Sequence, residues 1–136
     1  MTTVVDPLGT PVPSYNKSGV TIQSVTADGA GTNSASGSAP TLSSVSEWNV
    51  VLITVPDSSN VDVILPSSSD IGDIFELHNI SGADAVNVWP SGGMTIGQIP
   101  LANAGGHFPL APEASPGQSS YGRFFRKVSS SYWAVV

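Results

Sequence analysis

Between Trp48 and Val136 the apolar residues come in short runs, and strings of turn-forming residues close them. No stretch sustains the 3.6-residue period of an amphipathic helix, whereas several alternate with period two. A chain punctuated in this way is confined to short strands. Trp48 to Val55 is a near-continuous apolar run, the pattern of a central, well-buried strand. Pro56-Asp57-Ser58-Ser59-Asn60 reads as a five-residue turn, and Val61, Val63 and Leu65 then share one face of a returning strand. Together these predict a hairpin. From Ile74 to Ile80, Phe75 and Leu77 point one way, Glu76 and His78 the other. Ser81-Gly82-Ala83 leads into Ala85–Trp89, and Pro90-Ser91-Gly92-Gly93 into a short strand around Met94-Thr95-Ile96. Residues 97–121 are irregular, with one short strand at His107-Phe108. Gly122 to Val128 and Tyr132 to Val136, joined by Ser129-Ser130-Ser131, form a second hairpin. Seven or eight such strands predict an all-β fold, a small antiparallel sandwich or barrel of jelly-roll-like form.

Composition divides the chain. Ser, Thr, Gly and Pro account for 56 of its 136 residues, and all three Trp, all four Phe and two of three Tyr lie beyond residue 46. Residues 1–46 hold one aromatic, Tyr15, and three charges, Asp6, Lys17 and Asp28. Within them Gly19–Thr26 is a strand candidate, and the small-residue run from Ala27 to Pro40 reads as a flexible link. The expected organisation is an extended N-terminal arm with a Gly/Ser-rich link over 1–46 and an antiparallel β domain over 47–136. Such an arm buries too little apolar surface to offset its ordering entropy, so it is expected to order on a partner. Val4, Val5, Leu8, Val12 and Tyr15 are its partner-binding candidates. Phe108 and Leu110, from the long irregular segment, join them.

Chemistry is sparse. The absence of cysteine excludes disulfides, thiol catalysis, thiolate zinc sites and iron–sulfur clusters. There is no Gly-x-Ser-x-Gly elbow. His78 beside Glu76 is an i, i+2 pair without a third ligand nearby, and reads as a solvated strand face. His107, after two glycines, reads as a loop or interface residue. Asp28-Gly29-Ala30-Gly31 lacks the further carboxylates of a calcium loop and the Gly-Lys-Ser/Thr of a phosphate loop. Asp57 with Asp62, and Asp70 with Asp73, fall in or beside turns, where Asp serves backbone hydrogen bonding. No catalytic residue, metal site or cofactor is expected. A net charge of −6 with four basic residues argues against tracking a phosphate backbone. Three of those cations fall in Arg123-Phe124-Phe125-Arg126-Lys127. That string reads as a two-faced strand, Phe124, Arg126 and Val128 on one side and Arg123, Phe125 and Lys127 on the other. Neither a secretory signal nor an apolar membrane span stands out, so a membrane is not an expected partner, and the charge balance removes nucleic acid.

The stretch from Val61 onward resembles a β-domain that recurs in virion proteins of tailed bacteriophages. The residues that carry the likeness are Val63-Ile64-Leu65-Pro66, Ile71-Gly72-Asp73, His78-Asn79-Ile80-Ser81-Gly82, Ala85-Val86-Asn87-Val88-Trp89-Pro90, Ser91-Gly92-Gly93-Met94-Thr95-Ile96, Phe125-Arg126-Lys127-Val128 and Tyr132-Trp133-Ala134-Val135-Val136. Val5-Asp6-Pro7-Leu8-Gly9-Thr10-Pro11-Val12-Pro13 also looks like the start of small phage head proteins. The resemblance implies a head decoration, or cement, protein: non-enzymatic, trimeric, made in the host cytoplasm. It would sit on the capsid surface of the virion with the major capsid protein as partner. The alternative it implies is a head-fibre or tail-fibre module binding a host-surface glycan. Trp89, near Asn87 and the turn at Ser91, would then be the sugar-stacking residue.

Overall fold

The computed structural model describes residues 19–82, 84–97, 106–113 and 122–136. They are all-β and form two sheets. The strands are β1 (Val20–Thr26), β2 (Trp48–Thr54), β3 (Asp62–Ile64), β4 (Ile74–Asn79), β5 (Val86–Trp89), β6 (Thr95–Ile96), β7 (Phe108–Leu110), β8 (Arg123–Ser129) and β9 (Tyr132–Val135). The larger sheet runs β1-β2-β4-β8-β9-β6 and the smaller β3-β5-β7.

The pairing is mixed, where antiparallel pairing throughout was expected. β1, β2 and β4 are mutually parallel, as are β3 and β5, whereas β4/β8, β8/β9 and β5/β7 are antiparallel. The reason lies in the connections. The predicted hairpin of β2 with β3 does not form, because β3 belongs to the opposite sheet. The chain goes from β2 across to β3, back to β4, and across again to β5. An earlier turn takes β1 to Thr41, which bridges Ile64 in parallel before the chain returns as β2. Residues 20–89 therefore trace a flattened coil, each turn adding one strand to the larger sheet and one strand or bridge to the opposite side. Val20 pairs with Trp48 and Trp48 with Ile74; on the opposite sheet Thr41 pairs with Ile64 and Ile64 with Trp89. Crossing over, rather than turning back, sets the apolar face of β2 opposite that of β3. Val51 and Ile53 then meet Val63 and Leu65 in one core, each 0% exposed.

Residues 19–46 correct the expected boundary at residue 46. β1 pairs with β2 along its whole length, and Ala27 and Leu42 are core residues. The Gly/Ser-rich link is held by hydrogen bonds rather than by apolar burial. The Asp62 carboxylate, itself buried, accepts from the amides of Gly31 (2.6 Å) and Ser36 (3.0 Å) and from the side chain of Asn87 (3.1 Å). The carbonyl of Gly29 accepts from the amides of Val61 and Asp62, and its own amide donates to the Asn60 side chain. Gly29 has φ +75°, and a Cβ there would strike the Ser36 side chain, so the link cannot follow this path with another residue at that point. Val25, not Val20 or Ile22, is the residue that β1 sends toward the core.

The second hairpin forms as expected, with an irregularity in register between Lys127 and Ser129. Trp133 and Phe125 are fully buried. Trp133 meets Phe75 edge-on at 5.6 Å, and Phe125 meets Phe108 edge-on at 5.5 Å.

Candidate interaction surface

The registers place residues of five strands in straight rows on the outer side of the larger sheet. One row is Val20, Trp48, Ile74, Arg126 and Ala134; the next is Ile22, Val50, Glu76 and Phe124, with Val136 beside Phe124. Both rows are mostly apolar. Ile22 is 70% exposed, Val20 59%, Trp48 39% and Phe124 36%. Trp48 and Phe124 meet edge-on at 6.0 Å across the face, and Ile74, Phe124, Arg126 and Val136 line a shallow groove of about 210 Å³. The continuous apolar run of β2 thus has its explanation. Val51 and Ile53 face the core, while Trp48, Val50 and Leu52 face outward. A sheet face that is bare to water is ordinarily polar, and parallel strands are ordinarily covered on both sides. This face is neither.

The face is bounded by a charged cluster. In the row beyond, Leu52 lies beside His78, whose imidazole is clasped between two carboxylates. Its Nε2–H donates to Glu76 (2.6 Å) and its Nδ1–H to Glu113, from the segment that follows β7. Two acceptors on one ring require both nitrogens to carry protons, so the geometry selects the imidazolium. Burial opposes that charge, but hydrogen bonds to Glu76 and Glu113 and the pull of both carboxylates outweigh it. The His78 pKa is raised above 6.5. Gly122 permits the arrangement. Its φ is +75°, and a Cβ would collide with the His78 ring. The expected solvated pair at Glu76 and His78 is thus a triad. Glu113, which sequence spacing did not connect to it, also donates its amide to the carbonyl of Asn79. The carboxylates occupy the two nitrogens a metal would need, and among the described residues no group of three or more His, Asp or Glu is arranged for a metal ion.

The three clustered cations go to three places. Lys127 is buried and donates to the carbonyls of Ser67 (2.8 Å) and Ser69 (2.6 Å). Arg123 lies over the Phe108 ring at 5.3 Å. Arg126 alone stands on the outer face. The two-faced strand reading therefore holds, with one side in the core.

Of the expected partner-binding residues, Val4, Val5, Leu8, Val12 and Tyr15 lie outside the described residues. Leu110 is buried in the chain's own core, and Phe108 is half-buried against Phe125 and Arg123. Both serve the fold, because β7 closes the edge of the smaller sheet over β5. Trp89 is 2% exposed and packs its ring on His107 at 4.6 Å, so it presents no face for a sugar to stack on. Asn87 beside it is turned to Asp62. A cavity of about 400 Å³ does border Trp89, between the Pro90–Met94 turn and Asn33–Ala35. Burial lowers the His107 pKa below 6.5, with the Asp62 charge opposing.

No family model, no curated protein and no solved structure matches the chain.

Proposed function

We propose that the protein is a non-catalytic structural component of a phage virion, binding the outer capsid surface as a trimer and stabilising the shell. The observation that carries this reading is the apolar outer face of the larger sheet. Large side chains of β1, β2 and β8 are held there by a rigid scaffold, in the manner of an assembly surface. The resemblance of residues 61–136 to phage virion β-domains supplies the setting. The fibre alternative offered Trp89 as its sugar-stacking residue, and the burial of that ring removes the candidate.

Labelling of intact virions tests the proposal. An antibody to the purified chain should decorate heads at regular positions in electron micrographs. Heads from phage lacking the gene should rupture at lower temperature or under milder chelation. Label confined to tails, or heads of unchanged stability, would refute it.

A further inference from the structure

We propose that the outer face of the six-stranded sheet is where copies of this chain meet one another, with Arg126 of one copy set against Glu76 of the next. The inference deepens the proposed virion role, on which its biological setting rests.

Three observations converge. The first is the run Trp48-Asn49-Val50-Val51-Leu52-Ile53. Its pattern is that of a strand covered on both faces, yet the described residues cover only the face bearing Val51 and Ile53. The second is breadth. The exposed apolar residues extend from Val20 and Ile22 on the edge strand β1 to Val136 beside β9, so the bare area crosses the sheet rather than marking a single side chain. Five strands at ~4.8 Å spacing make such a face roughly 20 Å wide, the scale of a protein contact rather than of a small-molecule site.

The third observation identifies the occupant. The two apolar rows contain one cation, Arg126, and one carboxylate, Glu76. They sit on neighbouring strands and in neighbouring rows, because Ile74 pairs with Arg126 and Glu76 with Phe124. A face carrying one charge of each sign, offset diagonally on an apolar ground, is complementary to itself. Three copies turning this face to a shared threefold axis bring Arg126 of each to Glu76 of the next, while Ile74 and Phe124 supply the apolar contact. Arg126 has no ion-pair partner among the described residues, and its guanidinium can take the outer oxygen lone pairs of Glu76 while His78 holds the other side. The chain as a whole is strongly acidic, with ten carboxylate residues to four cations. Two copies therefore repel at long range, and a short-range pair of this kind sets their register.

Sedimentation velocity on the purified full chain between 1 and 100 µM, concentrations chosen to span weak association of roughly micromolar Kd, tests this. The wild type should sediment as an oligomer. Arg126→Glu and Glu76→Arg should each weaken association at least tenfold, and the double charge swap should recover it to within about threefold. Ile22→Asp, on the exposed edge strand, should weaken it without touching either charge. Ser58→Glu, in the exposed turn between β2 and β3, should leave it unchanged. Thermal melts of each variant establish that it is folded, and Ile22→Asp carries the test if the Glu76 variant is not. A wild type that is monomeric at 100 µM overturns the inference, as does an oligomer indifferent to Ile22→Asp and Arg126→Glu. A monomer that still decorates heads would overturn this inference and leave head binding standing. An oligomer that ignores heads would do the reverse.

Discussion

The link at residues 27–42 and the terminal hairpin at 122–136 are held in the same two-sheet fold by opposite means. The hairpin carries its own apolar pattern, and Phe125, Trp133 and Val135 drive it into the core. The link has two core side chains, Ala27 and Leu42, and follows a fixed path because buried acceptors wait for its amides. Asp62 takes Gly31 and Ser36, and Pro40 and Leu42 exchange hydrogen bonds with Ile64. Small residues are what let the link backbone come that close. A Gly/Ser-rich run is thus not flexible by composition alone. It is ordered wherever the rest of the fold presents enough unpaired polar groups to satisfy it.

The largest effect should come from removing the aromatic that anchors the hairpin. Trp133→Ala takes away a fully buried side chain that packs on Phe75, and should cost about 3–5 kcal/mol in urea-induced unfolding. A loss below about 1 kcal/mol would mean the hairpin is not tied to the core in the way its burial indicates.

Asp62→Ala should strike the link instead. It strands two backbone amides and the Asn87 side chain, for a loss of about 2–3 kcal/mol. Hydrogen exchange should accelerate at Gly31 and Ser36 well before it does in β8 and β9. Equal acceleration in both regions would show that the link has no separate anchor.

His78→Ala should cost about 1 kcal/mol at pH 5.5, because two carboxylates lose their shared donor on a partly exposed face. The sign follows from the raised pKa. The folded state holds the His78 proton more tightly than the unfolded chain, so the stabilisation is complete below pH 6.5 and disappears as pH rises through the folded value. The gap between wild type and variant should therefore narrow from pH 5.5 to pH 9. His107, with its pKa lowered, works the other way, its contribution present above 6.5 and lost on acidification. A gap that widens with pH would mean that His78 is neutral in the fold.

The smallest effect is expected on the outer face. Ile22→Thr replaces a residue 70% exposed and should change monomer stability by less than about 0.5 kcal/mol. A larger loss in dilute solution would show that β1 leans on that side chain within a single chain.

Strand positions were legible because period two is a local property. Phe75 and Leu77 alternate with Glu76 and His78 whatever lies beside them, and the terminal hairpin is read from its short polar turn. Partners and directions were not. Val61, Val63 and Leu65 occupy one face whether β3 turns back on β2 or crosses to the opposite sheet, so the same residues permit a hairpin and an arch. The same limit hid the fate of the link and of Glu113. Hydrogen bonding from Gly31 and Ser36 to Asp62, or from His78 to Glu113, joins residues 26 to 35 positions apart, and nothing in their spacing announces it. The chain's own alternation determined which side chains share a face of each strand. Only the tertiary structure decided which strand, acceptor or carboxylate each would meet, because that choice depends on which distant groups are left needing a partner once the core has closed.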